Sequence, residues 1–215
     1  DITAAITAAG GTADGTATYD PVTNTLTLDN FSCSSDAFGG VINIQDGDIT
    51  IKLKGNNTLS STGKGTDGIY TNGNLAICNG EDGVAQGQLT INTVSACIGA
   101  PSGTLEITDV KVTATSTENG GLSANSISLS GVTLSATADL SPICTDSKYF
   151  VDPETGRPVF DPETGELVEV YGAINIENST VEAYCTDTVW GDYAFDSTPN
   201  ISGTFAVYAG DDAAS

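Results

Sequence analysis

Residues 105–115 read LEITDVKVTAT, residues 127–137 read ISLSGVTLSAT, and residues 174–184 read INIENSTVEAY. All three follow one template: two apolar residues two apart, a two-residue break, then a second alternating stretch that reaches Ala. The inward sets are Leu105, Ile107, Val110, Val112 and Ala114, then Ile127, Leu129, Val132, Leu134 and Ala136. The third is Ile174, Ile176, Ser179, Val181 and Ala183. Period-two alternation is strand patterning, and the short break turns the chain from one strand into the next.

A third strand precedes each pair. Gly68-Ile69 leads into NGNLAI, Cys97-Ile98 into PSGTLEI and Gly121-Leu122 into NSISL. The equivalent anchors are Ile44, Ile69, Ile98, Leu122 and Ile143, spaced 25, 29, 24 and 21 residues apart. The surplus NGEDGVAQGQ at 79–88 accounts for the longest interval. Three short strands in a unit of about 22 residues cannot bury an apolar face alone, but stacked units bury them together. The Leu and Asn spacing of leucine-rich repeats is absent, and nothing reads as the helices of ankyrin or tetratricopeptide units. The pattern predicts an all-β fold: a right-handed parallel β-helix, a solenoid of three-strand coils, as one domain over residues 1–215.

Three regions depart from the coil pattern. Residues 16–28 read as a strand, turn and strand that cover the N-terminal end of the core. Residues 145–171 read as an inserted hairpin region, and residues 185–215 as a last coil or cap. Asp20-Pro21, Asp152-Pro153 and Asp161-Pro162 each begin a turn in which Asn24, Gly156 or Gly165 takes positive φ.

Composition narrows the function. The chain has 28 acidic and six basic side chains, a net charge of −22, and no His. Binding that tracks phosphates or anionic membranes needs clustered Lys and Arg, so both are excluded. Without His there is no Ser-His-Asp or Cys-His nucleophile and no His-ligated zinc. No apolar run approaches the roughly 20 residues of a membrane helix. The five cysteines, Cys33, Cys78, Cys97, Cys144 and Cys185, form no CxxC pair and read as small apolar fillers. The chain starts at Asp1 with no signal-like segment, which fits a processed protein whose targeting segment has been removed.

Two clusters are candidate sites. Asp36, Asp67, Glu118 and Asp139 recur at the bend after the Ala-ended strand, followed later by Asp187 and Asp192. Stacked coils bring equivalent bends to about 5 Å, where carboxylates repel and calcium relieves the repulsion. The alternative is a row of solvated bends. Tyr184, Trp190, Asp192 and Tyr193, with Phe195, form either an aromatic sugar platform or a cover for the end of the core. Arg157 and the lysines Lys52, Lys54, Lys64, Lys111 and Lys148 lie in no recognisable catalytic setting, so no enzyme is expected.

The stretches GTATYDPVTNTLTLDNFS, DITIKLKGNNTLSS, GIYTNGNLAI, QLTI and GTLEI add a resemblance. They are similar to bacterial carbohydrate-binding-domain proteins, extracellular β-helices of anaerobic bacteria whose shape is distantly related to pectate lyases. The resemblance implies a secreted or cell-surface, non-catalytic binder of acidic polysaccharide, polygalacturonate-like, with calcium as cofactor. The alternative is a structural or adhesive surface module, an adhesin whose partner is a protein or the cell envelope. Outward Thr50, Thr90 and Thr113 also raise an ice-binding array, but the aligned positions Ala76, Glu106, Ser128 and Asn175 are expected to break it.

Overall fold

The computed structural model describes residues 12–36, 39–45, 47–81, 85–145, 148–149, 155, 157–162, 164–186 and 199–209. Strand β1 (Thr12–Asp20) is the outer arm of a hairpin. The first coil holds β2 (Thr25–Ser34) and β3 (Gly39–Ile44); the second holds β4 (Ile49–Lys54), β5 (Asn56–Ser60) and β6 (Thr66–Thr71). Next come β7 (Leu75–Asn79), β8 (Gln88–Thr93), β9 (Ile98–Thr108), β10 (Lys111–Ser116) and β11 (Leu122–Ser130). They are followed by β12 (Thr133–Ala138) and β13 (Ile143–Thr145), then by β14 (Lys148–Tyr149) and β15 (Glu169–Val170) of the insertion. The last two are β16 (Ile174–Cys185) and β17 (Asn200–Ala209). Successive coils pair in parallel, and the chain winds as a β-solenoid of about six turns, the expected parallel β-helix.

Three columns of side chains fill the core. On the first face Leu26, Ile51, Ile77, Ile107, Leu129 and Ile176 stand in register. On the second, Leu89, Val112, Leu134 and Val181 do the same. All fifteen residues of the three inward sets are buried. The third face stacks Ile42, Ile69, Ile98, Leu122 and Ile143. This corrects the first anchor: Ile42 aligns with Ile69, while Ile44 lies opposite Thr71. A shift of two residues keeps the same side chains facing inward, so alternation alone does not choose between Ile42 and Ile44.

The corner between the first two faces is built the same way in five coils. Asn30, Gly55, Asp109, Gly131 and Asn178 all have φ between 47° and 66°. These are the residue types that enter the left-handed region at least cost. In the remaining coil the loop from Asn79 to Gln88 replaces that corner and is tied back by Gly80 N–H to Leu53 O and Gln88 N–H to Gly55 O.

Outward columns differ sharply between faces. Ser32, Thr58, Thr90, Thr113 and Ser135 form one column on the second face, and Ser34, Ser60, Asn92, Thr115 and Thr137 form its neighbour. Thr50 stands elsewhere, on the first face with Ala76, Glu106, Ser128 and Asn175. The residues expected to interrupt a threonine array therefore belong to a different face from Thr90 and Thr113.

The Asp-Pro turns form as their chemistry requires. Asp20 Oδ1 accepts Val22 N–H at 2.9 Å, its Oδ2 accepts the Thr23 hydroxyl at 2.8 Å, and Asn24 has φ of 52°. The hairpin extends beyond 16–28, with Thr12 opposite Ser34, because β1 runs along the whole edge of β2. It covers two sides of the first coil. Beside β3 a cavity of about 360 Å³ remains, lined by Leu28, Phe31, Val41, Ile42 and Ile44 among others. In the insertion, Gly165 N–H donates to Asp161 O at 2.8 Å and Phe160 bridges Leu167. The first copy, around Asp152 and Gly156, lies outside the described residues. The chain rejoins the solenoid at Gly172, where a Cβ would lie 1.6 Å from Asn125 O. None of the five cysteines is in a disulfide; Cys33, Cys97 and Cys185 are buried.

Leu129 tests this packing. It is fully buried between Ile107 and Ile176. Leu129→Ala should lower the unfolding free energy by about 2–5 kcal/mol in a urea titration, through lost transfer energy and an unfilled cavity. A loss under about 1 kcal/mol would mean that the column is not packed as described.

Candidate functional site

The four acids of the expected row take four different partners. Asp36 Oδ1 accepts Thr62 N–H, Gly63 N–H and the Ser61 hydroxyl at 2.8, 3.0 and 3.1 Å. Its Oδ2 accepts the Thr62 hydroxyl at 3.0 Å. These bonds, the Thr62 N–H foremost, hold the Asp36 carboxyl below its usual pKa. Glu118 pairs with Lys64 at 2.7 Å, an exposed bridge of small energetic weight. Asp139 Oδ1 accepts the Thr186 hydroxyl at 3.4 Å. Asp67 is not in the bend at all: it is the second residue of β6, opposite Gly40. Among the described residues no group of three or more Cys, Asp or Glu is placed to hold one metal ion.

Of the expected aromatic platform, Tyr184 lies half-buried on β16 opposite Thr137. Trp190, Asp192 and Tyr193, together with Asp187 and Phe195, lie outside the described residues.

A different site forms on the outer side of the third face. A groove of about 420 Å³ is lined by Gly39, Asn43, Gln45, Gly65, Asp67, Tyr70 and Asn72. Strands β3 and β6 supply it. Asn43 stands opposite Tyr70, and on the next coil Gly99 stands opposite Tyr70. Gly99, itself buried, places no side chain against the groove. A Cβ there would lie 3.4 Å from both Asp67 Oδ2 and Tyr70 Cδ2, so any longer side chain would lie against the ring and the carboxyl. Tyr70 Oη donates to Asn72 Oδ1 at 2.8 Å, and Asn72 Nδ2 donates to Gln45 O at 3.1 Å. These bonds fix the ring and leave the phenolic oxygen able to accept. At the other end, the Asn43 amide sits over Gly39, whose φ of 106° and missing side chain make room for it.

Asp67 is the one ionisable acid among the lining residues, and no base is among them. Its Oδ1 accepts Ala96 N–H at 3.1 Å. Burial pushes its pKa up to about 6, and the Ala96 N–H offsets only part of that rise. A half-buried, perturbed carboxyl in a groove is the kind of group that binding sites use.

Asp67 was singled out by sequence, but for the wrong neighbourhood. Tyr70, Asn43, Asn72 and Gln45 were not singled out. With Ile42 aligned to Ile69, the following residues form an outward column of Asn43, Tyr70, Gly99, Ser123 and Cys144. That alignment was the available signal, since it shows an aromatic beside a glycine.

Comparison with protein-family models, with curated proteins and with solved structures yields no match.

The raised Asp67 pKa has a consequence for stability. Between the unfolded value of 3.8 and the folded value of about 6, the folded state binds the extra proton. This group's contribution therefore improves as pH falls through 6 and levels off below 3.8. Asp67→Asn keeps an oxygen for Ala96 N–H and removes the charge. Its melting temperature should exceed that of the wild type at pH 7.5, with the gap closing by pH 4. A gap independent of pH would refute the assignment.

Proposed function

We propose that this protein is a non-catalytic carbohydrate-binding β-helix whose sugar site is the Tyr70 groove. The observation that carries the reading is the Tyr70 ring, left uncovered by Gly99 and flanked by Asn43, Asn72 and Asp67. A pyranose has an apolar face edged by hydroxyls that both donate and accept. An aromatic face takes the first, and side-chain amides and a carboxyl take the second. The groove volume is within the usual range of small-molecule sites. The resemblance of most of residues 15–140 to bacterial carbohydrate-binding-domain proteins supports the same reading and an extracellular setting.

Charge selects the kind of sugar. The chain carries −22 and the groove lining offers no cation, so an uncharged glycan approaches without penalty. A uronate polymer is repelled over roughly a Debye length, about 8 Å at physiological salt. It binds only through a bridging cation such as calcium, for which Asp67 is the protein's carboxylate ligand and further oxygens come from the amides and the polymer. Hydrolysis by a carboxylate pair needs two carboxyl groups across the bond, whereas Asp67 stands alone in the lining.

Affinity electrophoresis and calorimetry on neutral glycans, and on polygalacturonate with calcium or chelator, test this. Tyr70→Ala should weaken binding by about tenfold or more with little change in melting temperature, since stacking area is lost. Calcium should be dispensable for the neutral glycan and required for polygalacturonate, with no cleavage of either. Loss of binding in Trp190→Ala with full binding in Tyr70→Ala would move the site to the Tyr184, Trp190, Asp192 and Tyr193 cluster. No retention of any polymer would reject carbohydrate binding.

A further inference from the structure

The outer side of the second face is chemically unlike the rest of the surface. Five successive coils place two side chains each on its two central columns, and nine of these ten are threonine or serine; the tenth is Asn92. None of these ten is charged, in a chain of net charge −22; Lys111 stands beside them on β10, and the sixth coil ends the two columns with Glu182 and Tyr184. The matching positions on the first face include Lys52, Glu106 and Glu177.

Geometry makes this face a lattice. Strands β5, β8, β10 and β12 pair with no shift of register. Hydroxyls therefore repeat at roughly 4.8 Å across strands and about 6.7 Å along them. The face spans five strands, roughly 19 Å at that spacing.

The hydroxyls are also unused. Among the described residues Thr58, Thr90, Thr113, Thr115, Ser135 and Thr137 make no side-chain hydrogen bond within the protein, and none of their oxygens is buried. At the corners and bends, by contrast, small polar side chains are engaged, as Ser61, Thr62, Ser95, Thr104 and Ser179 show. Threonine on a strand has a restricted χ1, so these groups are held in place before anything binds and lose little entropy on binding.

We propose that this face binds ice. An ice surface is uncharged, flat and periodic, and its oxygens donate and accept hydrogen bonds at fixed repeats. A charged side chain holds its own hydration shell and opposes such a lattice. Threonine meets it with a hydroxyl that bonds to lattice water and a methyl that fills the space between water molecules. Charge complementarity selects the occupant: anionic polymers are repelled by the net charge, cations find no carboxylate on the two columns within these five coils, and the uncharged lattice meets only hydroxyl, methyl and amide groups there.

The site is separate from the Tyr70 groove, so the two stand or fall independently. Ice recrystallisation and thermal hysteresis are measured on the whole chain, with Thr113→Tyr on this face and Thr50→Tyr on the first face as control. Tyrosine suits a strand, so both variants fold, as circular dichroism and a thermal melt verify. The wild type should facet growing ice crystals and arrest recrystallisation. Thr113→Tyr should lose that activity, and Thr50→Tyr and Tyr70→Ala should keep it. Absence of faceting and of recrystallisation inhibition in the wild type overturns the proposal. Equal activity in Thr113→Tyr and Thr50→Tyr overturns it as well.

Discussion

A solenoid can keep its side chains in columns only if every coil turns its corners at the same place. Here the controlling corner joins the first and second faces, and one residue in the left-handed region makes it. Asn30, Gly55, Asp109, Gly131 and Asn178 meet this demand with different side chains and the same backbone. The columns of Ile and Leu before the corner and of Val, Leu and Ala after it then follow without adjustment. A β-branched or bulky residue at such a corner carries a cost of roughly 1–2 kcal/mol for the left-handed conformation. The coil that abandons the corner uses the loop from Asn79 to Gln88 and must anchor both its ends to the coil below.

The corners also explain where part of the acidity goes. Stacked corners leave backbone N–H groups that the sheets do not pair, and Asp and Asn side chains of one coil accept from the next. Asp48 Oδ1 accepts Asn74 N–H at 2.9 Å, and Asn74 Oδ1 in turn accepts Thr104 N–H at 2.9 Å. Asn30, Asp36 and Asp67 make the same kind of link to Asn56, to Thr62 and Gly63, and to Ala96. A carboxylate bonded to N–H groups is held ionised, as for Asp36 and Asp48, whose pKa values are both lowered. Asp67 goes the other way because it is partly desolvated in the groove, which its bond from Ala96 N–H does not offset. The same residue type thus serves as a rivet at a corner and as a perturbed group on a strand.

What sequence alone reveals divides along physical lines. Ile107, Leu129 and Ile176, like Val112, Leu134 and Val181, are assigned to their columns correctly because a one-residue slip would put each on the wrong side. The turns at Asp20 and Asp161 are legible because Asp, Pro and a positive-φ residue fix the local geometry between them. Ile42 and Ile44 are not distinguished, since both face inward in either alignment. That ambiguity hid the Tyr70 groove, which exists only through lateral neighbours on three coils. It also hid the second-face lattice, because Thr50 and Thr90 look equivalent along the chain yet lie on different faces. Trp190, Asp192 and Tyr193 lie outside the described residues, so their reading stays where the sequence leaves it.

Nine of the described buried residues are polar, and two of them, Asn57 and Ser179, stand among aliphatic neighbours. Asn57 stands in the column with Leu89; its Oδ1 accepts Phe31 N–H at 2.9 Å, and its Nδ2 donates to Lys54 O and Gln88 O, each at 3.1 Å. Ser179 takes the place held by Val132 in the preceding coil and accepts Val132 N–H at 3.0 Å. Each is satisfied by particular backbone groups of its own and adjoining coils. A protein of near-identical coils has a characteristic hazard in folding: a coil can stack on the wrong rung and still bury aliphatic carbon against aliphatic carbon. Misplaced by a rung, Asn57 would face methyl groups, and an orphaned buried polar group costs about 1–3 kcal/mol. Asn57 and Ser179 therefore act as address marks, and a coil copied by duplication without its mark would lose the means of counting its own position.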